Sequence, residues 1–292
     1  MKIIDVRCRL TVAEAGSYFQ QVGKGFGQPG TTAATVEEFL TEIGRFGIAT
    51  AVSVSGNNPG MRIGKRTVPD RTTSNEWIAG IQKKNWGRLI GVGGIDAGNG
   101  FHDALQEIDK CKRLGLRAIF IEPGRSPGCN LDDRRLYPIY EKCLEHGMVL
   151  IPQTSGLLGG ESIDYANPMH LDRVAQDFPE LRILGGHACY PYVREAIIVS
   201  ARHEHVYLSP DAYLLHMGTE DWVKEVNANR YGLQDRFLFG TAYPSATQLK
   251  PYVDEFFKLP WKQEALPKIL HRNALRLFKL EDDETFSAMY AG

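Results

Sequence analysis

Short runs of β-branched and apolar residues alternate along the whole chain with stretches whose apolar positions recur every three or four residues. The short runs predict strands at Ile3–Arg9, Ile48–Ser55, Leu89–Asp96, Arg117–Glu122, Met148–Thr154, Arg182–His187, Val206–Ser209 and Phe237–Thr241. After the first of these, Val36, Phe39, Leu40, Ile43 and Phe46 keep helical spacing. Thr35 and Glu38 form a capping-box pattern and Gly47 follows the end, so Thr35 to Phe46 is predicted helical. Phe101 to Leu114 repeats the design, with Ala104, Leu105, Ile108, Cys111 and Leu114 on one face and Gly115 beyond it. Asn167-Pro168 is a cap and first-turn pair ahead of Leu171, Val174 and Phe178. Pro191 is placed to open another helix, and Trp261 to Leu280 predicts a C-terminal one. Repeated strand–helix units imply a parallel sheet, and eight of them imply a closed ring. The expected fold is α/β, a single (β/α)8 TIM-type barrel spanning residues 1–292 as one domain. Residues 10–34 are too long for an ordinary connection and are expected to form a lid over the barrel mouth. The "GKGFGQPG" within them lacks the GxGxxG spacing that opens a dinucleotide-binding helix.

In such a barrel the chemistry belongs at the C-terminal ends of the strands. Reading those ends gives Arg7, Arg9, Ser55, Asp96, Glu122, Gln153, His187, Asp211, Thr241 and Tyr243. Arg7 and Arg9 are two apart on one strand, so their side chains share a face. Two readings of the pair stay open. The arginines cap the barrel by pairing with Glu122 or Asp211, or they form a fork for a carboxylate or phosphate whose charge offsets their repulsion. His187, in "GGHACYPY", sits where barrel enzymes act, and imidazole exchanges protons near neutrality. A histidine at a strand end also serves purely structural ends. His102, His146, His170, His203, His205 and His271 fall on or beside helices or in linkers, whereas His216 lies in the loop after strand seven, near the mouth.

Composition removes several classes. With 34 Lys+Arg against 35 Asp+Glu the formal net charge is −1, so the basic excess that non-specific nucleic-acid binding needs is missing. A hydrophobic share of 43% and a charged share of 24% fit an ordinary globular core. The start, Met1-Lys2-Ile3-Ile4-Asp5-Val6-Arg7, lacks the apolar stretch of a signal peptide, and no segment approaches the roughly 20 apolar residues of a membrane span. A cytoplasmic protein without membrane or nucleic-acid partners is expected. Cys8, Cys111, Cys129, Cys143 and Cys189 form no CxxC pair, which fits reduced thiols.

"IDVRCRL", "LDDRRLYPIYEKCLEHGMVLIPQTSG", "HLDRVAQDFPELRILGGHACYPYVRE", "VYLSPDAYL", "DRFLFGTAYP" and "ILHRNALRLF" follow one another in an order that resembles the amidohydrolase-related group of the amidohydrolase superfamily. That group includes aminocarboxymuconate-semialdehyde and γ-resorcylate decarboxylases. The resemblance implies the barrel reached above, and a metal held by His-x-His on strand one, a strand-five His, a strand-six His and a strand-eight Asp. This chain has Arg7-Cys8-Arg9, Gln153 and Ala242 at those places and keeps only His187. A protonated guanidinium cannot be a ligand, Gln is a poor zinc donor, and Ala donates nothing.

The expected activity is therefore metal-independent hydrolysis or decarboxylation of a small carboxylated aromatic, muconate-like or lactone substrate, with no cofactor. Arg7 and Arg9 would hold the carboxylate, Gln153 and Tyr243 would contact the substrate, and His187 would be the general acid/base with Asp211 or Glu122 assisting. Two alternatives remain: a metal hydrolase rebuilt on His187, Glu122 and Asp211, and a non-catalytic small-molecule-binding protein. The resemblance implies a homo-oligomer.

Overall fold

A computed structural model describes residues 1–10, 12, 33, 35–54, 57–58, 60–63, 66–68, 71–243 and 248–291. Seven strands carry the frame: β1 (Ile3–Cys8), β2 (Ile48–Val54), β3 (Leu89–Gly94), β4 (Ala118–Ile121), β5 (Val149–Pro152), β6 (Ile183–Gly186) and β7 (Val206–Ser209). They lie side by side in chain order, and each neighbouring pair is parallel. The predicted eighth strand has no regular ladder, only a bridge between Leu208 and Phe237. Its backbone still closes the ring, because Leu238 donates to the Leu208 carbonyl at 3.0 Å and Val6 donates to that of Phe239 at 3.1 Å. Two short antiparallel pairs follow β2, joining residues 57–58 to 71–72 and 61–63 to 66–68.

Helices α1 (Val36–Gly44), α2 (Asn75–Lys84), α3 (Leu105–Arg113), α4 (Tyr137–Glu145), α5 (Pro168–Asp177), α6 (Val193–Arg202), α7 (Thr219–Ala228) and α8 (Leu249–Lys258) intervene between strands or follow the last. The expected capping box forms at α1, with Thr35 and Glu38 exchanging bonds of 3.2 Å. The predicted helix over Trp261–Leu280 is corrected. A π-helical turn at Lys268–Arg272 leads into α9 (Asn273–Phe278), which ends where Lys279 takes a φ of 53°, and α10 (Glu284–Tyr290) follows. Most of the 10–34 segment expected as a lid, and Ser55, lie outside the described residues.

The core has two layers. Ile4, Val6, Ile90, Phe120 and Leu184 pack inside the barrel, which α9 and α10 plug from below with Leu275, Leu277 and Phe286. The opposite strand faces, including Ile3, Cys8 and Ile119, pack against the helices. One irregularity matters for the site. Asp5 pairs with Ala51 but Cys8 with Ser53, so β1 gains a residue on β2 between these points. Strict alternation from Ile4 and Val6 would have sent Arg7 outward; the slip reverses the faces, leaving Cys8 outside and Arg7 over Phe120 within. Among the described residues no helix is long and apolar enough to cross a membrane.

Candidate active site

The end of β1 meets the ends of β6 and β7. His187 follows β6 in a left-handed backbone (φ 71°), as do Ala188 (45°) and Cys189 (58°), and Asp211 after β7 has φ 45°. Such conformations cost a non-glycine residue on the order of 1–3 kcal/mol and persist only where the surroundings enforce them. Here Thr154 Oγ1 donates to the Gly186 carbonyl at 2.7 Å and accepts from the Cys189 amide at 3.0 Å. The Tyr252 hydroxyl donates to the Asp211 carbonyl at 2.6 Å.

These turns bring three predicted residues together. His187 Nδ1 lies 2.7 Å from Asp211 Oδ1, and its Nε2 lies 2.7 Å from Arg7 Nη2. Arg7 Nε reaches Asp211 Oδ2 at 3.3 Å. A guanidinium can only donate, so Nε2 must accept and Nδ1 must carry the proton given to Asp211. The imidazole is thereby held neutral. Burial lowers its pKa to about 4, with Arg7 and Arg9 acting in the same direction and Asp211 against it. Arg7 has room because Gly186 lies beneath it: a Cβ there would sit 2.5 Å from Nη1 and 2.9 Å from Cζ. The Phe120 ring fixes both arginines, whose Cζ atoms each lie 5.6 Å from its centroid. The pair thus shares one face, as expected.

The other predicted residues divide. Gln153 is buried at the end of β5, bridged to Gly186, and its Oε1 accepts no hydrogen bond among the described residues. Glu122 is buried and faces Arg125, with Oε1 3.4 Å from Nη1. Tyr243 reaches α1: its hydroxyl donates to Glu42 Oε1 at 2.7 Å and its ring stacks on Phe39. Burial and Glu42 push its phenol well above the ordinary range. Asp96 caps a short turn by accepting from the Gly98 amide at 2.9 Å. His216 stands edge-on to Tyr213, which in turn stands edge-on to His187.

Sequence reasoning missed Asp5, Phe120 and Tyr213. Asp5 is wholly buried, accepts from the Arg7 amide and from both the amide and hydroxyl of Thr241, and ties β1 to the closing segment. Burial raises its carboxyl to about 6 despite those bonds. The signal was present, since a lone carboxylate inside the apolar run Ile3-Ile4-Asp5-Val6 needs partners. Tyr213 stacks on Tyr190 at 4.2 Å and meets Ser155 Oγ at 3.0 Å, forming an aromatic wall beside His187.

A divalent ion does not fit this donor set. The nitrogen of His187 left over by Asp211 already accepts from Arg7, and a second guanidinium lies on the same ring of Phe120. Among the described residues no group of three or more His, Cys, Asp or Glu is placed to hold a metal, and the rebuilt set of His187, Glu122 and Asp211 does not form one.

The comparisons bear on this site. A family model described as amidohydrolase matches residues 49–280. Among curated proteins none matches. An uncharacterised TIM-barrel protein from Bordetella bronchiseptica is 34% identical over 96% of this chain and 99% of its own, with a TM-score of 0.81. A dihydroxybenzoic acid decarboxylase from Polaromonas sp., solved with manganese and 2-nitroresorcinol, is 16% identical over 97% of this chain and 98% of its own, with a TM-score of 0.69. A candidate 2-pyrone-4,6-dicarboxylic acid hydrolase from Pseudomonas putida is 17% identical over 96% and 98%, with a TM-score of 0.64. At those identities the last two likenesses are of fold. The model's span over most of the sequence decides the membership: the chain belongs to the amidohydrolase family.

Proposed function

We propose that the protein is a metal-independent enzyme of this family that hydrolyses or decarboxylates a small carboxylated substrate, an aromatic or muconate-like acid or a lactone. The observation that carries the reading is the Arg7 guanidinium on His187 Nε2, with Arg9 beside it. Side-chain cations at the end of β1 supply positive charge where negative charge develops, in place before the substrate arrives. His187, oriented by Asp211, is the proton-transfer group, and the unfilled Oε1 of Gln153 accepts a hydrogen bond from the substrate. The neighbours' names, a dihydroxybenzoic acid decarboxylase and a candidate pyrone dicarboxylate hydrolase, supply the substrate class.

The test is a panel of such acids and lactones assayed for CO2 release and ring opening, before and after chelation, with elemental analysis of the same protein. Turnover should survive chelation with well below one equivalent of transition metal present. Stoichiometric metal lost together with activity would sink the reading. One observation favours a purely binding role: both ring nitrogens of His187 are already engaged. A His187→Gln variant separates the two, because an enzyme should lose roughly 10²–10⁴-fold in turnover whereas a binder keeps its affinity.

A further inference from the structure

We infer that Arg7 gates His187: the side chain covers the basic nitrogen until a carboxylate draws it away. This rests on the carboxylate reading above. The Nε2 lone pair is the one site on the ring able to take a proton, and Arg7 Nη2 lies on it at 2.7 Å. Nothing can be deprotonated by His187 while that bond stands.

The bond is also one that a substrate can outcompete. A neutral imidazole offers a guanidinium a single uncharged acceptor, whereas a carboxylate offers two charged oxygens in the planar geometry the fork matches, so the exchange adds a second bond and an opposite charge. When Nη2 turns to the carboxylate, the Nδ1–H bond to Asp211 at 2.7 Å keeps the ring in place. No covalent bond changes. One hydrogen bond is exchanged for another, and Nε2 is left facing the molecule that caused the exchange.

The resting position is built into the fold. Gly186 leaves the guanidinium its seat, since a Cβ there would stand 2.5 Å from Nη1, and Gly240 leaves room behind, where a Cβ would stand 3.2 Å from the Arg7 Cβ. Phe120 lies under the head group and Asp211 holds Nε at 3.3 Å. Gly186 therefore provides a way to disturb the gate without removing any charged group. Alanine at that position meets the end of a flexible side chain, which can move aside.

The experiment follows the Nε2 resonance of His187 in protein labelled with 15N-histidine, the signal being identified by its loss in His187→Gln. Wild type, Gly186→Ala and Arg7→Met are compared without ligand, and wild type is then titrated with benzoate and with benzamide as its uncharged counterpart. The expected result is that both variants move the resonance from its wild-type position, that benzoate moves it the same way, and that benzamide does not. Unchanged Nε2 signals in both variants, folded by circular dichroism, would overturn the gate. So would a benzoate that raises the melting temperature yet leaves Nε2 where it was; there the carboxylate reading survives and the gate fails. If the variants shift but neither benzoate nor any other carboxylate in the panel binds, the carboxylate reading falls, and the trigger proposed for the gate falls with it.

Discussion

Burial moves Asp5 and His187 in opposite directions, and stability follows with opposite signs. The Asp5 carboxyl, raised from 3.8 to about 6, contributes stability that is complete below 3.8 and is lost as pH rises through about 6. His187, lowered from 6.5 to about 4, contributes stability that is complete above 6.5 and is lost as pH falls through about 4. Between those limits the two largely offset each other, each being worth about 3 kcal/mol. Asp5→Asn removes one side of the balance. Urea unfolding of that variant should therefore show a loss of stability from pH 6.5 to pH 4 steeper than wild type by on the order of 3 kcal/mol. Parallel pH profiles would count against the assignment. His187 and its acid Asp211 were legible as polar residues at strand ends, and so was the shared face of Arg7 and Arg9. That the guanidinium lies on the imidazole was not, because it depends on a slip of one residue in β1 and on the space above Gly186.

Among the elements, those with a clean apolar stripe, such as α1 and α3, were visible in the sequence, and α2 was not. Its buried face includes Asn75 and Gln82, which break the stripe. Both are satisfied by the glycine-rich β3. Asn75 donates to the Gly94 carbonyl at 3.0 Å and accepts from its amide at 2.8 Å, and Gln82 accepts from the Gly91 amide at 2.8 Å. Two polar side chains thus bond a strand from its flank, an arrangement that hydrophobic periodicity cannot register. Asn75→Ala would leave the Gly94 amide and carbonyl short of these partners in a buried position, at a cost of about 1–3 kcal/mol. Chemical denaturation should read that loss; a variant as stable as wild type would mean water replaces the amide. Residues 237–241 were read as a strand and do close the ring, but with a bridge in place of a ladder. There the Asp5–Thr241 bonds do part of the joining, a tertiary contact that no local pattern announces.

On the scale of the whole molecule, the barrel is sealed at one end and carries the Arg7–His187–Asp211 cluster at the other. Phe286 is fully buried in the layer that plugs the base, edge-on to Trp86 at 5.2 Å, and Tyr290 reaches Thr50 Oγ1 at 2.7 Å. Phe286→Ala should cost about 3–5 kcal/mol in urea unfolding while leaving the His187 resonance unmoved, because the cavity opens below the strands and the mouth lies above them. A shifted resonance would mean that the two ends are coupled. The Arg7 seat has a last implication, for supply. A positive charge carried on the backbone's own side chain arrives with translation, in fixed ratio to the protein, and cannot be stripped, exchanged or mismatched by whatever ions the surroundings hold. The charge of residue 7 is thereby furnished once, when the chain folds, and changes with the codon for that residue.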